Sequence, residues 1–309
     1  MSEKLIATPE AHIACAGLGV NTIAYLILCT RQGIKFDHVL FSDPGKEWPK
    51  TYAYIDIINK WLTAHGQPKV TIVYKTDLNG DRLTLYQDNL HNQTIPAIAF
   101  GFKTCSQKFK RQPQDKFLNN DPFIRWVKSM GGVVYNYIGF DADESHRTQT
   151  NYDTDRVKNI YPLVDADMGR FECVKLILDE GLPLPPKSSC TDCPSMKPWE
   201  IIELYETEPK EFYDAIALER AALPHLSDIK GLGRDFSWWD LIVAYRYLKL
   251  IKRYNNAAYI PPKIKKLILK INRSKPIDYK KLAADRKNAK DIVCDLFTTR
   301  VEAPCECMY

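Results

Sequence analysis

The 309-residue chain has no apolar run approaching the ~20 residues that a membrane-spanning helix needs. Its opening stretch, Met1 to His12, lacks the long apolar core of a secretion signal. Both absences point to the cytoplasm and argue against a membrane partner. Thiols stay reduced there, so the nine cysteines are not expected to form a disulfide framework. Those that cluster point to metal ligation or catalysis instead. A large excess of one charge is also missing, since the net value is only +5. With 45% hydrophobic residues, the chain can build one large α/β domain, or a domain with an appendage.

The chain is organised around Ala14 to Leu28. His12 to Ala16 reads as a buried strand. The chain turns at Gly17-Leu18-Gly19, passes Val20, Asn21 and Thr22, and enters an apolar segment, Ile23 to Cys29, that starts a helix. A strand, a glycine turn and a helix start make an anion site. The glycines are expected to supply positive φ and close approach. The free N–H groups of the helix end face the anion, and Thr22 adds a hydroxyl. A glycine pair alone equally fits a tight turn that binds nothing.

Phe36 to Ser42 reads as a second strand, running through Phe41 and Ser42 into Asp43-Pro44-Gly45-Lys46-Glu47. Loops at the carboxyl ends of strands are where open α/β sheets bind ligands. Asp43 and Glu47 there either hold Mg²⁺ or a ribose hydroxyl, or simply cap a turn and start a helix. Thr51 to Ala64 reads as an amphipathic helix and Val70 to Tyr74 as a third strand. Such strand–helix–strand units imply a parallel sheet. Residues 77–121 are polar, with strand signals only near Ile95 to Phe100, and read as an excursion over the active face. Within them Lys103, Lys108, Lys110 and Arg111 surround Cys105. The cluster binds phosphate or is a solvated basic face, and the latter is expected of Lys103. Gly132 to Phe140 is a further strand that delivers Asp141, Glu144, His146 and Arg147 to the same edge. His146 is a general base or merely exposed.

Cys190-Thr191-Asp192-Cys193-Pro194 is a Cys-x-x-Cys unit. Two thiolates so spaced can chelate one metal or an iron–sulfur cluster. Cys105 and Cys173 would complete a set of four. A structural zinc site, a dithiol pair and ordinary buried cysteines are the alternatives. Cys15 and Cys29 are expected to be small buried hydrophobes. Beyond Leu223 the composition changes. Ser237-Trp238-Trp239-Asp240 has a capping pattern that opens a helix, continued by Leu241 to Ile251. Residues 245–290 hold 15 Lys or Arg and two acidic residues, Asp278 and Asp285. Helical signals recur at Lys263 to Ile271 and Asp278 to Val293. With Tyr245, Tyr247, Tyr254 and Tyr259 interleaved, this region suits DNA or tRNA, or it is a lid of solvated lysines. The expected division is an α/β domain over 1–222 and a basic helical region over 223–309.

The ordered motifs GLGVNT (17–22), LFSDPGKEWPKTYAYID (40–56), IGFDADESHR (138–147), YPLVDADMGRFEC (161–173) and PPKSSCTDCPSMKPWEI (185–201) resemble the PP-loop ATP pyrophosphatase superfamily. The most similar branch is the phage-type phosphoadenosine phosphosulfate reductase-like group. The likeness spans about residues 11–222. It departs from the usual SGGxDS pattern in lacking the first Ser and in carrying Asn21 and Thr22 for Asp and Ser. The resemblance implies an α/β, doubly wound, mostly parallel sheet of the adenine nucleotide alpha hydrolase-like kind. It implies ATP with Mg²⁺ over Gly17, Leu18, Gly19, Val20, Asn21 and Thr22. Phe41, Ser42, Asp43, Glu47, Lys110, Asp141, Glu144 and Arg147 would surround the nucleotide, with Asp43, Lys108 and Arg147 catalytic. By likeness to related branches, Cys105, Cys173, Cys190 and Cys193 would hold a [4Fe–4S] cluster, with Zn²⁺ as the alternative. The implied reaction adenylates a nucleic acid or nucleoside, releases pyrophosphate and inserts sulfur, with a sulfur-donor protein as a further partner. The cytoplasm would be that of a bacterial host for a phage protein. Two rivals are a sulfonucleotide reductase and a non-catalytic nucleotide- or nucleic-acid-binding factor. Glu306-Cys307 echoes the reductase tail, but the Gly and His that follow in those enzymes are absent. Cys294, Cys305 and Cys307 are spare thiols or a second soft-metal site.

Overall fold

A computed structural model describes residues 8–96, 98–99, 102–149, 153–254, 259–276 and 278. The chain begins with β1 (Glu10–Ala16), α1 (Val20–Arg31), β2 (His38–Ser42), α2 (Pro49–Ala64) and β3 (Val70–Val73). An excursion follows: α3 (Leu85–His91), a two-residue hairpin of β4 (Ile98–Ala99) and β5 (Phe102–Lys103), then α4 (Thr104–Ser106), a π-helical turn (Gln107–Arg111) and α5 (Gln112–Asn120). After α6 (Pro122–Ser129) come β6 (Val133–Ile138), a 3₁₀ stretch (Ala142–Gln149), β7 (Val157–Ile160), α7 (Pro162–Asp165) and α8 (Arg170–Asp179). Four more helices end the described part: α9 (Pro198–Thr207), α10 (Pro209–Ala222), α11 (Trp238–Tyr254) and α12 (Pro262–Arg273).

The five long strands form one sheet in the order β3-β2-β1-β6-β7, parallel throughout. Its central strands are nearly continuous apolar runs because both faces are covered. Ala14, Ala16, Val39, Phe41 and Tyr137 face a core built by α1, α2 and α8. On the other face Ile13, Leu40 and Val134 pack with Leu118, Ile124 and Val127 of α5 and α6. Alternate residues of one strand thus serve opposite layers. Helix α1 lies so deep that its first ten residues apart from Leu28 are buried. Cys15 and Cys29 are both fully buried, as expected of small hydrophobes. Burial pushes the Cys29 thiol up to about 12.

The excursion carries more structure than its polar composition suggests. Thr104 to Asn120 is almost continuously helical, and few side chains (Phe109 and Leu118 among them) turn inward. Pro113 falls where the π-helical turn passes into α5, and its missing N–H leaves a gap in the helical bond ladder there. Lys103 corrects an expectation. Its ammonium is buried with no hydrogen-bond partner, not solvated.

A second apolar body lies beside the sheet. Trp48, Phe109, Cys190, Cys193 and Met196 join Ile201, Phe212, Ile216, Trp238, Leu241 and Ile268 in one cluster. Residues on both sides of position 222 share it. The Ser237 hydroxyl accepts from the Asp240 N–H at 3.0 Å, as the capping pattern predicts. The expected helix at Asp278 to Val293, and Cys294, Cys305 and Cys307, lie outside the described residues. No described helix is long and apolar enough to cross a membrane.

Candidate nucleotide site

Strands β2 and β3 lie on one side of β1, and β6 and β7 on the other. The chain therefore reverses direction across the sheet between β1 and β6, and the crevice at the carboxyl ends of those strands is where such sheets take ligands. Gly17 to Gly19 sits at the end of β1 and α1 begins at Val20. No side chain caps that helix, and its first turn carries no acidic residue. The first N–H groups of a helix have no partners within it, so this end is open to an anion. Thr22 Oγ1 accepts from the Gly17 N–H at 3.0 Å and holds the loop closed.

The turn is made differently from the expectation. Leu18, not a glycine, takes the positive φ, at 57°, while Gly19 has φ −95°. A left-handed leucine costs about 1–2 kcal/mol. Full burial of its side chain holds it there. A Cβ on Gly19 would meet only Ser188 Cβ, at 3.8 Å, so glycine is not demanded by internal crowding. Its bareness instead leaves room above the loop.

Around this loop, each of the four expected carboxylates is tied to a cation. Asp43 Oδ2 lies 2.5 Å from Arg82, and its Oδ1 accepts from Tyr52 Oη and the Gly45 N–H, each at 2.7 Å. Glu47, 2% exposed, binds Lys110 Nζ at 3.0 Å and accepts from Ser188 Oγ at 3.4 Å and Cys190 Sγ at 3.9 Å. Asp141 Oδ2 accepts from Asn21 Nδ2 at 3.0 Å and lies 3.6 Å from Arg170. Glu144 pairs with Arg147 at 3.1 Å, whose guanidinium also lies 3.9 Å over the Phe140 ring. Burial raises the Asp141 and Glu144 carboxyls above the usual range, although Arg170 and Arg147 oppose it. The other oxygens of this bonded pair, Asn21 Oδ1 and Asp141 Oδ1, are buried and have no hydrogen-bond partner.

Backbone pairing assembles the site. The loop after β2 runs antiparallel to 189–191, with Trp48 N–H to Ser189 O at 3.3 Å and Thr191 N–H to Lys46 O at 2.7 Å. That brings Glu47 to Cys190. Ser42, with Phe41 just before it buried at the end of β2, donates its hydroxyl to Lys110 O at 2.7 Å and so anchors the π-helical turn. Lys110 is buried within that turn and faces Glu47, while Lys108 is exposed. His146 is exposed. Arg82, Tyr52, Ser188 and Arg170 were not singled out from sequence. Arg170 had a signal, because it opens a helix directly after Asp167-Met168-Gly169. Arg82 had none, being far from Asp43 in the chain.

The four cysteines divide three to one. Cys105, Cys190 and Cys193 line one small cavity and belong to the helical cluster. Cys173 is fully buried in the sheet core, where burial pushes its thiol upward. A cluster held by four thiolates needs four sulfurs facing one space. The cavity, about 20 Å³, has room for one water or one ion. These residues do not fit a four-thiolate [4Fe–4S] cluster. Among the described residues no three His, Cys, Asp or Glu side chains stand in a coordinating array.

Comparison with models of known protein families finds no match, and comparison with curated proteins finds none.

Proposed function

We propose that this chain is a PP-loop enzyme with an adenine nucleotide alpha hydrolase-like, doubly wound fold. In this reading it binds ATP at the carboxyl ends of β1, β2 and β6 and adenylates an acceptor on a nucleic acid or nucleoside. One observation carries the reading: an uncapped helix start at the reversal point of the sheet, beside which Asn21 Oδ1 and Asp141 Oδ1 are buried without a hydrogen-bond partner. The loop N–H groups would take the phosphates, and Asn21 and Asp141 would take hydrogen-bond donors of the nucleotide. Lys110 and Arg147, already oriented by Glu47 and Glu144, would neutralise charge that develops at the α-phosphorus. The acceptor's oxygen or nitrogen then bonds to that phosphorus and pyrophosphate leaves. Asp43 and Glu47 would hold Mg²⁺ if it binds with the nucleotide, each exchanging part of its present pairing with Arg82 or Lys110 for the ion, whose charge would offset that of the phosphates.

The basic helices support a polyanionic acceptor. Arg246, Lys249, Lys252 and Arg253 on α11 and Lys263, Lys265 and Lys266 on α12 are exposed. Tyr254 and Tyr259 are exposed as well, whereas Tyr245 and Tyr247 are used internally, on Glu206 and the Tyr259 carbonyl.

Calorimetry with MgATP, followed by a pyrophosphate-release assay with tRNA or DNA, tests the proposal. The expected result is MgATP binding that Lys110→Ala weakens at least ~10-fold and Lys108→Ala leaves within about twofold. Binding of a sulfonucleotide but not ATP would replace the proposal with a reductase. Binding without pyrophosphate release would replace it with a nucleotide-binding factor.

A further inference from the structure

We propose that Cys105, Cys190 and Cys193, with Asp192 as the fourth donor, form a site for a single soft divalent ion of the zinc class. Asp192 is the anomaly that leads there. It is 1% exposed, it lines the same cavity as the three thiols, and both of its carboxylate oxygens are buried without a hydrogen-bond partner. A buried charge left in that condition is costly unless it is paired or coordinates a metal. Three thiols and one carboxylate are a donor set that zinc accepts in four-coordinate sites. The cavity's size suits one ion. Cys190 and Cys193 lie on one tight turn, closed by the Cys193 N–H to Cys190 O bond at 3.3 Å, and can reach a common ion. Cys105 comes from α4, in the excursion, so an ion here would tie the excursion to the loop before α9.

The side chains as placed are not arrayed for coordination. One thiol is engaged elsewhere. A protonated thiol donates its hydrogen, and Cys190 Sγ points at Glu47 Oε1, 3.9 Å away. Binding the ion requires each thiol to release its proton to solvent and its sulfur to turn into the cavity. Three thiolates and a carboxylate leave the ion with a net charge of −2, and the nearby Lys110 ammonium is already paired with Glu47 at 3.0 Å. Cys173 has no part in this site. The site borders the nucleotide reading through Lys110 and Glu47, but its cobalt readout needs no nucleotide, so either proposal can fail without the other.

Cobalt(II) titration of the full-length, chelator-treated protein is the test. One ion per chain with thiolate-to-cobalt charge transfer and tetrahedral d–d bands is expected, and Zn²⁺ should displace it. Cys105→Ser should lose the charge-transfer intensity of one thiolate. Asp192→Asn should weaken binding by more than the ~10-fold that loss of even a supporting hydrogen bond costs at metal sites. Cys173→Ala should leave stoichiometry and spectrum unchanged. The proposal is overturned if the wild-type protein shows no thiolate bands, a result that needs no variant to fold. It is equally overturned if Cys173→Ala abolishes binding, or if anaerobically purified protein holds several irons with sulfide.

Discussion

Two buried carboxylates in the helical half of the molecule are treated in opposite ways. Glu219 on α10 is 2% exposed, and its Oε2 accepts from the Leu232 N–H at 2.8 Å and the Trp238 N–H at 3.0 Å. The second of these lies at the start of α11, so the carboxylate also faces that helix's positive end. Asp192 is buried as deeply, and neither of its oxygens has such a hydrogen bond; only its own N–H and the Lys46 charge favour its ionised form. Burial raises both above the ordinary range, Asp192 to about 7. The difference separates a carboxylate used as a structural clamp from one left ready for a ligand. In the sheet's crevice the same contrast recurs, between the fully tied Glu47 and the half-tied Asp141.

Breaking the clamps should have the largest effects. Lys110→Ala strands Glu47, whose side chain is fully buried, without its cation, and should cost about 3–5 kcal/mol in urea unfolding. Glu219→Ala leaves two buried N–H groups unsatisfied and should cost about 3 kcal/mol. If either change is neutral, the clamp reading fails. Gly231→Ala attacks the same clamp from outside. Its φ is +148° and a Cβ would stand 2.4 Å from Glu219 Oε2, so a loss of about 2 kcal/mol or more is expected. Asp192 should respond with the opposite sign. In chelated protein, Asp192→Asn removes an unpartnered buried charge and should raise stability by about 1 kcal/mol, read by thermal melts.

The smallest expected effect is in pH. Desolvation raises the folded-state value of Glu219 above 4.5, and Asp240 adds to the rise, against the Trp238, Leu232 and Trp239 N–H groups. The folded state therefore holds this proton more tightly than the unfolded chain. The contribution is fully present below pH ~4.5 and is lost as pH climbs through the raised value. Glu219→Gln carries no titration there and should flatten that part of the stability–pH curve. An unchanged slope would assign the dependence to other groups.

Much of the fold was legible because its signals are local. The apolar runs around Ala14, Leu40 and Val134 give strands that both layers of helices bury, and the Ser237-to-Asp240 spacing gives a cap. Thr104 to Asn120 was not legible, since its inward-facing residues are few and its surface is polar. The site was legible as a set of loops at strand ends, but not as pairs. Nothing in the chain order announces that Arg82 answers Asp43 or that Arg170 answers Asp141. The cysteine set misled for the same reason. Spacing joins Cys173 to Cys190, yet helix packing directs Cys173 into the sheet core and leaves Asp192 beside the other three. The positive φ at Leu18 also escaped the sequence reading, because it depends on burial and not on residue type.

The pairing of β1 with β6 has a consequence for how the protein comes into being. Strands β1, β2 and β3 are consecutive and can associate through short crossovers, but β6 joins β1 only after the whole excursion has been made. Contacts so distant in the chain are slow to form, because loop closure precedes their reward. Asn21 meets Asp141 only once that late strand has docked. A chain emerging from the ribosome can therefore build half a sheet early, yet it acquires the crevice only when β6 arrives.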